Sequence, residues 1–413
     1  MVKKVLILLV SGILSLCAGV LLMYLAYLVP VSRIAESAKK DRELFDIEGD
    51  YPCIISGYEF TRLDNFTDSQ ILDEAVYDEK KGALYGALIV PSAVYTDAGS
   101  MHEQVYRYID GDNGYEKYDR GRYWHGYHVV LKPLLVFLPY RDIRLLNLIV
   151  QLAIAMLLSA ALWKRAGTGA SCAFIVTYIF LFPPATALCM EFSLMYYVST
   201  ISAFILLKEC LARENIFMLF LFTGIAAAFF DYLTYPLLTL SMPLVIWLLT
   251  YDKPDADMLK KELYYSVCWL FGYVFMWGGK WVIATAVTGE DVIKEGWDNV
   301  IFRASGRLKG EEESLGYLNV ITRQFKVAGC VPFILVLIII IFSFLFLSVI
   351  KKEKWDLIRS AGLILICIFP FLWYFVLRNH SVVHDWFTYR TFSVLIFAAC
   401  CLFLCPESSL KRL

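Results

Sequence analysis

Long apolar runs recur along the whole chain, and most of them are separated only by short polar turns. A bilayer core about 30 Å thick needs about 20 consecutive apolar residues per helix, which is the length that many of these runs approach. The pattern therefore predicts about ten transmembrane helices. They are expected at 5–30, 142–163, 170–189, 192–208, 215–231, 233–250, 263–287, 328–350, 357–377 and 386–405.

Two longer polar stretches interrupt the pattern. In the first, residues 66–77 predict an amphipathic helix, and the short apolar segment 127–138, interrupted by Pro133, predicts an interfacial or re-entrant helix. The expected organisation is a first transmembrane helix (1–30), a large mixed loop (31–141), helices 2–7 (142–287), a second loop (288–327), and helices 8–10 with a short tail (328–413).

Composition supports the same class of protein, an all-α polytopic membrane protein. Hydrophobic residues make up 59% of the chain and its mean hydropathy is +0.60, whereas soluble domains hold about 45–50% apolar residues. The net charge of −1 gives no reason to expect a nucleic-acid partner. Most of the eleven cysteines lie in or beside apolar runs and no CxxC pair occurs, which is typical of small apolar core residues.

Lysine and arginine positions predict the orientation, because basic residues are enriched on the cytoplasmic side. The short turns near Met190 and Asp231 carry no basic residue. Both termini are therefore expected in the cytoplasm of a bacterial cell, with both polar loops outside the plasma membrane and the first apolar run retained as a helix. The basic residues at the expected inner ends are Lys3, Lys4, Lys164, Arg165, Lys208, Arg213, Lys253, Lys260, Lys261, Lys351, Lys352, Lys354, Lys411 and Arg412.

The first candidate for chemistry is an acidic pair in the first loop. Asp64 and Asp68 are four residues apart and share one face if the segment is helical. A carboxylate there can act as a general base or hold a divalent cation, which is the one cofactor left open. The alternative is an ordinary helix start that is capped by Asn65, Thr67 or Asp68.

A second candidate precedes the expected interfacial helix and combines cationic with aromatic groups. Such a set at a membrane surface can bind a lipid phosphate and a sugar, and the alternative is an interfacial anchor. The residues are Arg122, Tyr123, Trp124, His125, His128 and Lys132.

Charges within or at the ends of the apolar runs form a third candidate. Lys280, Asp231 and Glu191 lie where a charge is costly, and such charges usually face a cavity or a partner. Phosphate binding is the expected role of Lys280, and its neighbours Gly278 and Gly279 allow close approach of another backbone. Snorkelling of the lysine to the membrane surface is the alternative.

The fourth candidate is the last polar turn, RNHSVVHDWFTYR. His380 and His384 are four residues apart, and Arg378 and Arg390 flank them. A metal site needs a third ligand, which the turn does not offer, so anion binding is favoured over metal binding. A polar turn with aromatic anchors is the alternative.

The order of these features resembles the GT-C superfamily of membrane glycosyltransferases, which use polyprenyl-phosphate-linked sugars. The resemblance rests on one helix before a large loop that bears Asp64, on WHGYHVVLKPLLVFLPYRDIRLLN with His125 and Arg144, on GIAAAFFDYLTYPLLTLSMPLVIWLL, and on HDWFTYR. It covers about residues 1–250 and the last turn. The chain also resembles uncharacterised bacterial membrane proteins that carry a YWHGY segment.

The resemblance implies transfer of a sugar from a polyprenyl-phosphate donor to an acceptor outside the membrane. Asp64 would be the general base, with Asp68 or Glu59 replacing the family's second carboxylate, and Lys280, Arg122 or Arg390 would hold the phosphate. The partners would be membrane lipid and the lipid-linked sugar. A lipid or lipid-linked-sugar flippase, and a non-catalytic relative that binds a lipid or a partner enzyme, are the alternatives.

Overall fold

The computed structural model describes residues 2–252, 254–307, 315–329, 342 and 356–405. Over these residues the chain is built from helices, with a single short two-stranded sheet among them. The elements up to and including the long helix α8 are α1 (Val2–Tyr27), α2 (Val31–Ala38), α3 (Arg42–Glu48), α4 (Asn65–Val76), α5 (Ala83–Ile89), β1 (Pro91–Val94), α6 (Met101–Ile109), β2 (Glu116–Asp119), α7 (His128–Leu135) and α8 (Tyr140–Leu181).

The second part of the chain is helical throughout its described residues, apart from turns. Its elements are α9 (Pro183–Leu188), α10 (Met190–Leu207), α11 (Ile216–Phe230), α12 (Leu237–Thr250), α13 (Ala256–Thr288), α14 (Val292–Ala304), α15 (Tyr317–Ala328), α16 (Leu357–Val376), α17 (Arg378–Val383), α18 (Asp385–Thr388) and α19 (Phe392–Leu404).

Seven stretches of the described chain are helical, long and apolar enough to cross a membrane. They contain α1, α8, α10, α11, α13, α16 and α19, and α12 is a shorter apolar helix between them. The predicted class of an all-α, multi-pass membrane protein is confirmed at this level. The helix predicted at 328–350 lies outside the described residues apart from Ala328, Gly329 and Phe342, so the predicted count of ten stays a prediction.

The break predicted between the helices at 142–163 and 170–189 is confirmed. The 42 residues of α8 are two helical segments that meet at Gly167, although the second segment ends at Leu181 and the short α9 follows it. Gly167 has φ +88°, a left-handed conformation that costs glycine little because it has no Cβ. The change of direction between the two segments therefore lies within the predicted turn, at a single residue.

The first polar stretch folds into a layer of short helices around α4. The strands β1 and β2 pair antiparallel, with Pro91 opposite Asp119. The predicted helix at 66–77 exists as α4, but ten of its twelve residues are buried, so the prediction that it is amphipathic was wrong. It is covered on several sides because α2, α6, β1 and the start of α10 all contact it.

This layer is attached to one end of the helix bundle, which we call the loop face. Two indole N–H groups tie it to the end of α13: Trp124 donates to the Met276 carbonyl and Trp281 to the Arg122 carbonyl, both at 2.8 Å. Gly126 donates to the Phe229 carbonyl at 2.9 Å, and a Cβ at Gly126 would lie 2.4 Å from that oxygen. The backbone itself therefore touches the bundle here.

Within the bundle, α11 and α13 approach closely because both carry glycine at the contact. A Cβ built on Gly224 would lie 2.1 Å from the Trp269 carbonyl oxygen, and one on Gly272 would lie 2.3 Å from the Leu221 oxygen. Small residues are typical of such membrane-helix contacts, since they let two backbones meet.

Replacing Gly224 with alanine should separate these two helices. We expect Gly224→Ala to lower stability by about 1–3 kcal/mol, because the new methyl group meets backbone atoms that cannot rotate away. Thermal unfolding of the detergent-purified protein measures the change. Gly278→Ala is the matched control on α13, where a Cβ would have nothing within 4 Å, and equal melting temperatures for both variants would contradict the prediction.

Candidate functional site

A ring of polar and aromatic side chains lies at the loop face, where the start of α4 meets the ends of the bundle helices. Neighbours along the ring are linked by a hydrogen bond, a ring contact or an electrostatic interaction, and Asp231 is joined to His380 through the backbone of Leu233. We call this set the loop-face ring; its members are Tyr51, Arg62, Asp64, Glu191, Asp231, His380, His384 and Trp386.

Asp64 is held at the N-terminus of α4. Its Oδ1 accepts from the Thr67 backbone N–H at 2.9 Å, so Asp64 itself caps the helix and the expected caps Asn65, Thr67 and Asp68 do not. Its carboxyl group also hydrogen-bonds that of Glu191, in the first turn of α10. Burial raises the pKa of Asp64, while the hydrogen bonds from Thr67 and Glu191 oppose that shift.

Asp231 enters the ring where α11 ends. Its Oδ1 accepts hydrogen bonds from the backbone and the hydroxyl of Thr234, and its Oδ2 has no partner among the described residues. Burial raises the pKa of Asp231 to about 6. The carboxyl group is therefore easily protonated and still has one free oxygen to offer a ligand.

The two histidines of the last turn meet, as their spacing predicts, with ring centroids 4.8 Å apart. His380 Nε2 donates to the Leu233 carbonyl at 2.7 Å, and His384 Nε2 accepts from the Arg303 guanidinium at 3.4 Å. Burial lowers the pKa of both, to about 3 for His384, so both imidazoles are neutral. These bonds leave an acceptor at His380 Nδ1 and a donor at His384 Nδ1.

The ring opens to solvent beside Tyr51, which is 43% exposed. The Arg62 guanidinium lies over the Trp386 ring at 5.2 Å, and Tyr51 contacts the same indole at 5.6 Å between centroids. An aromatic face beside a cation and a carboxylate is a suitable surface for a sugar or a phosphate ester.

Unpaired polar atoms are concentrated in this ring. Buried polar atoms in folded proteins nearly always have a hydrogen-bond partner, so a group of exceptions needs water or a ligand. Six of the eight ring side chains carry such an atom among the described residues: Arg62 Nε, Glu191 Oε1, Asp231 Oδ2, His380 Nδ1, His384 Nδ1 and Trp386 Nε1. Neutral donors, acceptors and carboxyl groups at one opening can bind a polar molecule and accept a proton from it.

Asp68, the second predicted carboxylate, lies outside the ring in an ion pair. Its Oδ2 accepts from Arg144 at 3.2 Å and its Oδ1 accepts from the Met190 N–H at 3.0 Å. Arg144 also pairs with Glu48 at 2.9 Å. Burial raises the pKa of Asp68 to about 6 despite the arginine. Both oxygens are occupied, so Asp68 connects α4 to α8 and α10.

The cations expected to hold phosphate have other partners. Lys280 donates to the Leu88 carbonyl at 2.6 Å, Arg122 pairs with Glu295 at 2.5 Å, and Arg390 donates to the Leu181 carbonyl at 3.1 Å. Lys132 donates to the Ala75 carbonyl at 3.1 Å, and burial lowers its pKa to about 7. These contacts bring none of the four side chains to Asp64.

The remaining predicted residues belong to the attachment of the loop. Tyr123 stacks on Tyr232 at 4.6 Å, next to Trp124 with its bond to α13. His125 and His128 both contact the buried Glu74 near the end of α4. The predicted residues thus divide between the ring, the loop attachment and this histidine cluster.

The sequence interpretation missed Tyr51, Arg62, Trp386 and Arg303 in or beside the ring, and Glu74 in the histidine cluster. Arg62 has a local signal, since it lies two residues before Asp64, and Trp386 lies within the HDWFTYR segment. Glu74 has none, because nothing near it in sequence indicates its partners.

A cavity of about 680 Å³ lies at the opposite end of the bundle, away from the ring. Its charged walls are paired with one another, Arg213 with Asp252 at 2.6 Å and Arg165 with Glu209 at 3.5 Å. We place the candidate site at the ring instead, because several polar atoms there lack partners among the described residues.

Comparisons with known proteins add no relative: no protein-family model, no curated protein and no solved structure matches the chain.

The raised pKa of Asp231 predicts how stability depends on pH. Folding favours its protonated form, so this contribution is fully present below about pH 4 and is lost as the pH rises through about 6. Asp231→Asn keeps the acceptor for Thr234 and removes the charge, so it should match the wild type at pH 4. At pH 8 it should exceed the wild type by about 2–3 kcal/mol. Melting temperatures measured across this range test it, and a constant difference between the two proteins would contradict it.

Proposed function

We propose that the chain is a GT-C-like glycosyltransferase that acts at the loop face, outside the plasma membrane. It moves a sugar from a polyprenyl-phosphate donor to an acceptor hydroxyl, and Asp64 is the general base. The proposal includes ten transmembrane helices with both termini in the cytoplasm. The observation that carries it is the contact between the Asp64 and Glu191 carboxyl groups beside the unpaired ring atoms.

Two carboxyl groups in contact can differ in protonation, because two adjacent buried charges repel each other. When Glu191 is protonated, its O–H donates a hydrogen bond to Asp64. The Asp64 side chain is then the carboxylate of the pair. It is fixed by Thr67 at the start of α4, in an orientation that does not depend on a ligand. A fixed, buried carboxylate at the edge of a polar opening has the properties of a general base.

The reaction balances with these groups alone. The acceptor oxygen attacks the anomeric carbon of the donor sugar while its proton passes to the Asp64 carboxylate. The bond between that carbon and the phosphate oxygen breaks, and its electron pair leaves with the polyprenyl phosphate. Glu191 keeps its proton throughout.

We assign phosphate binding to arginines in or beside the ring instead of the cations that the sequence predicted. Lys280 and Arg390 donate to backbone carbonyls, whereas Arg303 contacts the ring through His384 and its Nε has no partner among the described residues. Arg62 lies in the ring itself; like Arg122 it pairs with a glutamate, here Glu59, and has an Nε without a partner among those residues. A guanidinium can bind phosphate through two parallel hydrogen bonds, which favours Arg303 and Arg62 for this role.

Removing the base should abolish transfer. We expect Asp64→Asn to reduce transfer from a radiolabelled polyprenyl-phosphate hexose by about 10²–10⁴-fold, because the amide cannot take the proton. The assay uses full-length protein in membrane vesicles. Asp110→Asn is the matched control, since Asp110 is an exposed carboxylate in the same loop, paired with Arg42 at 2.5 Å.

Wild-type rates in Asp64→Asn would remove Asp64 from the mechanism. Fluorescent polyprenyl phosphate that crosses the vesicle membrane equally in wild type and variant, with no transfer in either, would favour the flippase instead.

The pH profile should report the carboxyl pair. The rate should rise with pH as Asp64 loses its proton, through a pKa above the ordinary value of about 4. Glu191→Ala removes a hydrogen bond to the carboxylate, so the rising limb should move about one pH unit higher. Glu191→Gln retains an N–H donor and should move it less. If the rising part of the rate–pH profile were the same in Glu191→Ala as in the wild type, the two carboxyl groups would not interact during turnover.

A further inference from the structure

Two histidines and a glutamate meet in the buried interior of the loop layer. His125, His128 and Glu74 come from the segment that enters α7 and from the last turn of α4, and each is at most 2% exposed. One ligand atom from each lies within 4.8 Å of the other two. We propose that this triad binds a divalent transition-metal ion of the zinc class and that the ion fastens α4 to α7.

The distances are close to those of a zinc site. Glu74 Oε2 lies 3.1 Å from His125 Nδ1 and 3.1 Å from His128 Nε2. Ligand atoms that bind a tetrahedral zinc at about 2.0–2.1 Å lie about 3.3–3.4 Å from one another. Two of the three distances between ligand atoms thus need only small adjustments. The third, between the two histidine nitrogens, is within 4.8 Å and would be adjusted by rotation of one imidazole.

A contact of His125 outside the triad orients its ring so that one nitrogen can bind a metal ion. Its Nε2 lies 3.1 Å from the Arg120 carbonyl, which can only accept, so Nε2 carries a hydrogen. The lone pair of the neutral ring is then on Nδ1, which faces Glu74. A metal-binding histidine usually donates its other ring N–H in this way, to a carbonyl or a carboxylate.

The glutamate is prepared in the same manner. Gln70 donates to Glu74 Oε1 at 3.2 Å and Arg120 Nε lies 3.4 Å from it, while Oε2 is the oxygen that faces both histidines. One oxygen is therefore held by the protein and the other is left for the ion. Arg120 brings a positive charge, but the Asp73 carboxylate acts on it electrostatically and offsets that charge.

Tyr127 completes the set. Its hydroxyl lies 2.9 Å from Glu74 Oε2 and also hydrogen-bonds His125 Nδ1, so it occupies the fourth side of the triad. His125 has φ +54°, a conformation that is uncommon outside glycine and places both histidines on one side of the turn. Structural zinc has four protein ligands, so in this role the ion would take the Tyr127 hydroxyl as the fourth, beside Glu74.

The chemistry of the donors selects the ion. Two imidazole nitrogens and a carboxylate oxygen suit zinc and its neighbours in the transition series, whereas calcium and magnesium prefer oxygen ligands alone. This inference does not depend on the proposed transfer reaction, because the triad includes no residue of the loop-face ring.

The test is metal content of the full-length protein. The protein is purified in detergent, exposed to excess zinc, and dialysed against a weak chelator. We expect about one zinc per chain in the wild type and at least a five-fold loss in His128→Ala. His384→Ala is the matched control, since it removes a half-buried histidine of the ring, and it should keep the metal. Wild-type protein that retains less than about 0.2 zinc per chain would overturn the proposal, as would equal content in both variants.

Cobalt keeps the test decisive if His128→Ala does not fold. Wild-type protein loaded with cobalt should show the strong visible absorption of a tetrahedral complex, and X-ray absorption should count two imidazoles in the first shell. An octahedral spectrum, or a shell without imidazole, would place the ion elsewhere and overturn the assignment.

Discussion

Hydrocarbon can neither donate nor accept a hydrogen bond, so a polar side chain near the bilayer needs a partner inside the protein. Most charged residues in and around the bundle obey this constraint. Lys280 and Arg390 donate to backbone carbonyls, and Arg144 is shared between two carboxylates. The loop-face ring departs from it, because six of its side chains carry buried atoms without a partner among the described residues. Other buried atoms without a partner, such as the two oxygens of Glu262, occur elsewhere in the described residues, and the candidate site is distinguished by having several of them on side chains that contact one another.

The ring exists only when the loop layer is attached to the bundle. Asp64 comes from the layer, whereas Glu191 and Asp231 come from the ends of α10 and α11. The indole bonds of Trp124 and Trp281 and the close approach of Gly126 fix the layer in place. Changes at these anchors should therefore affect the carboxyl pair even though they do not touch it.

Helix α4 connects the two polar centres of the layer. Asp64 caps its first turn and Glu74 lies in its last, and at 1.5 Å per residue the two are about 15 Å apart. A metal ion on Glu74 would hold one end of this helix, and Asp68 with Arg144 holds the middle against α8. The base at the other end then has little freedom to move, which suits a group that must accept a proton from a positioned substrate.

The sequence by itself determined the class of protein, since runs of about 20 apolar residues admit few structures other than membrane helices. It also identified Asp64, Asp231, His380 and His384, because carboxyl groups and imidazoles beside apolar runs are unusual. It also predicted a break between two helices where Gly167 lies, but it did not give the carbonyl that Lys280 contacts. Only the tertiary structure brought Glu74 to His128, 54 residues further along the chain. Hydrophobic patterns follow from each residue's own chemistry, whereas hydrogen-bond partners depend on which distant segments meet when the chain folds.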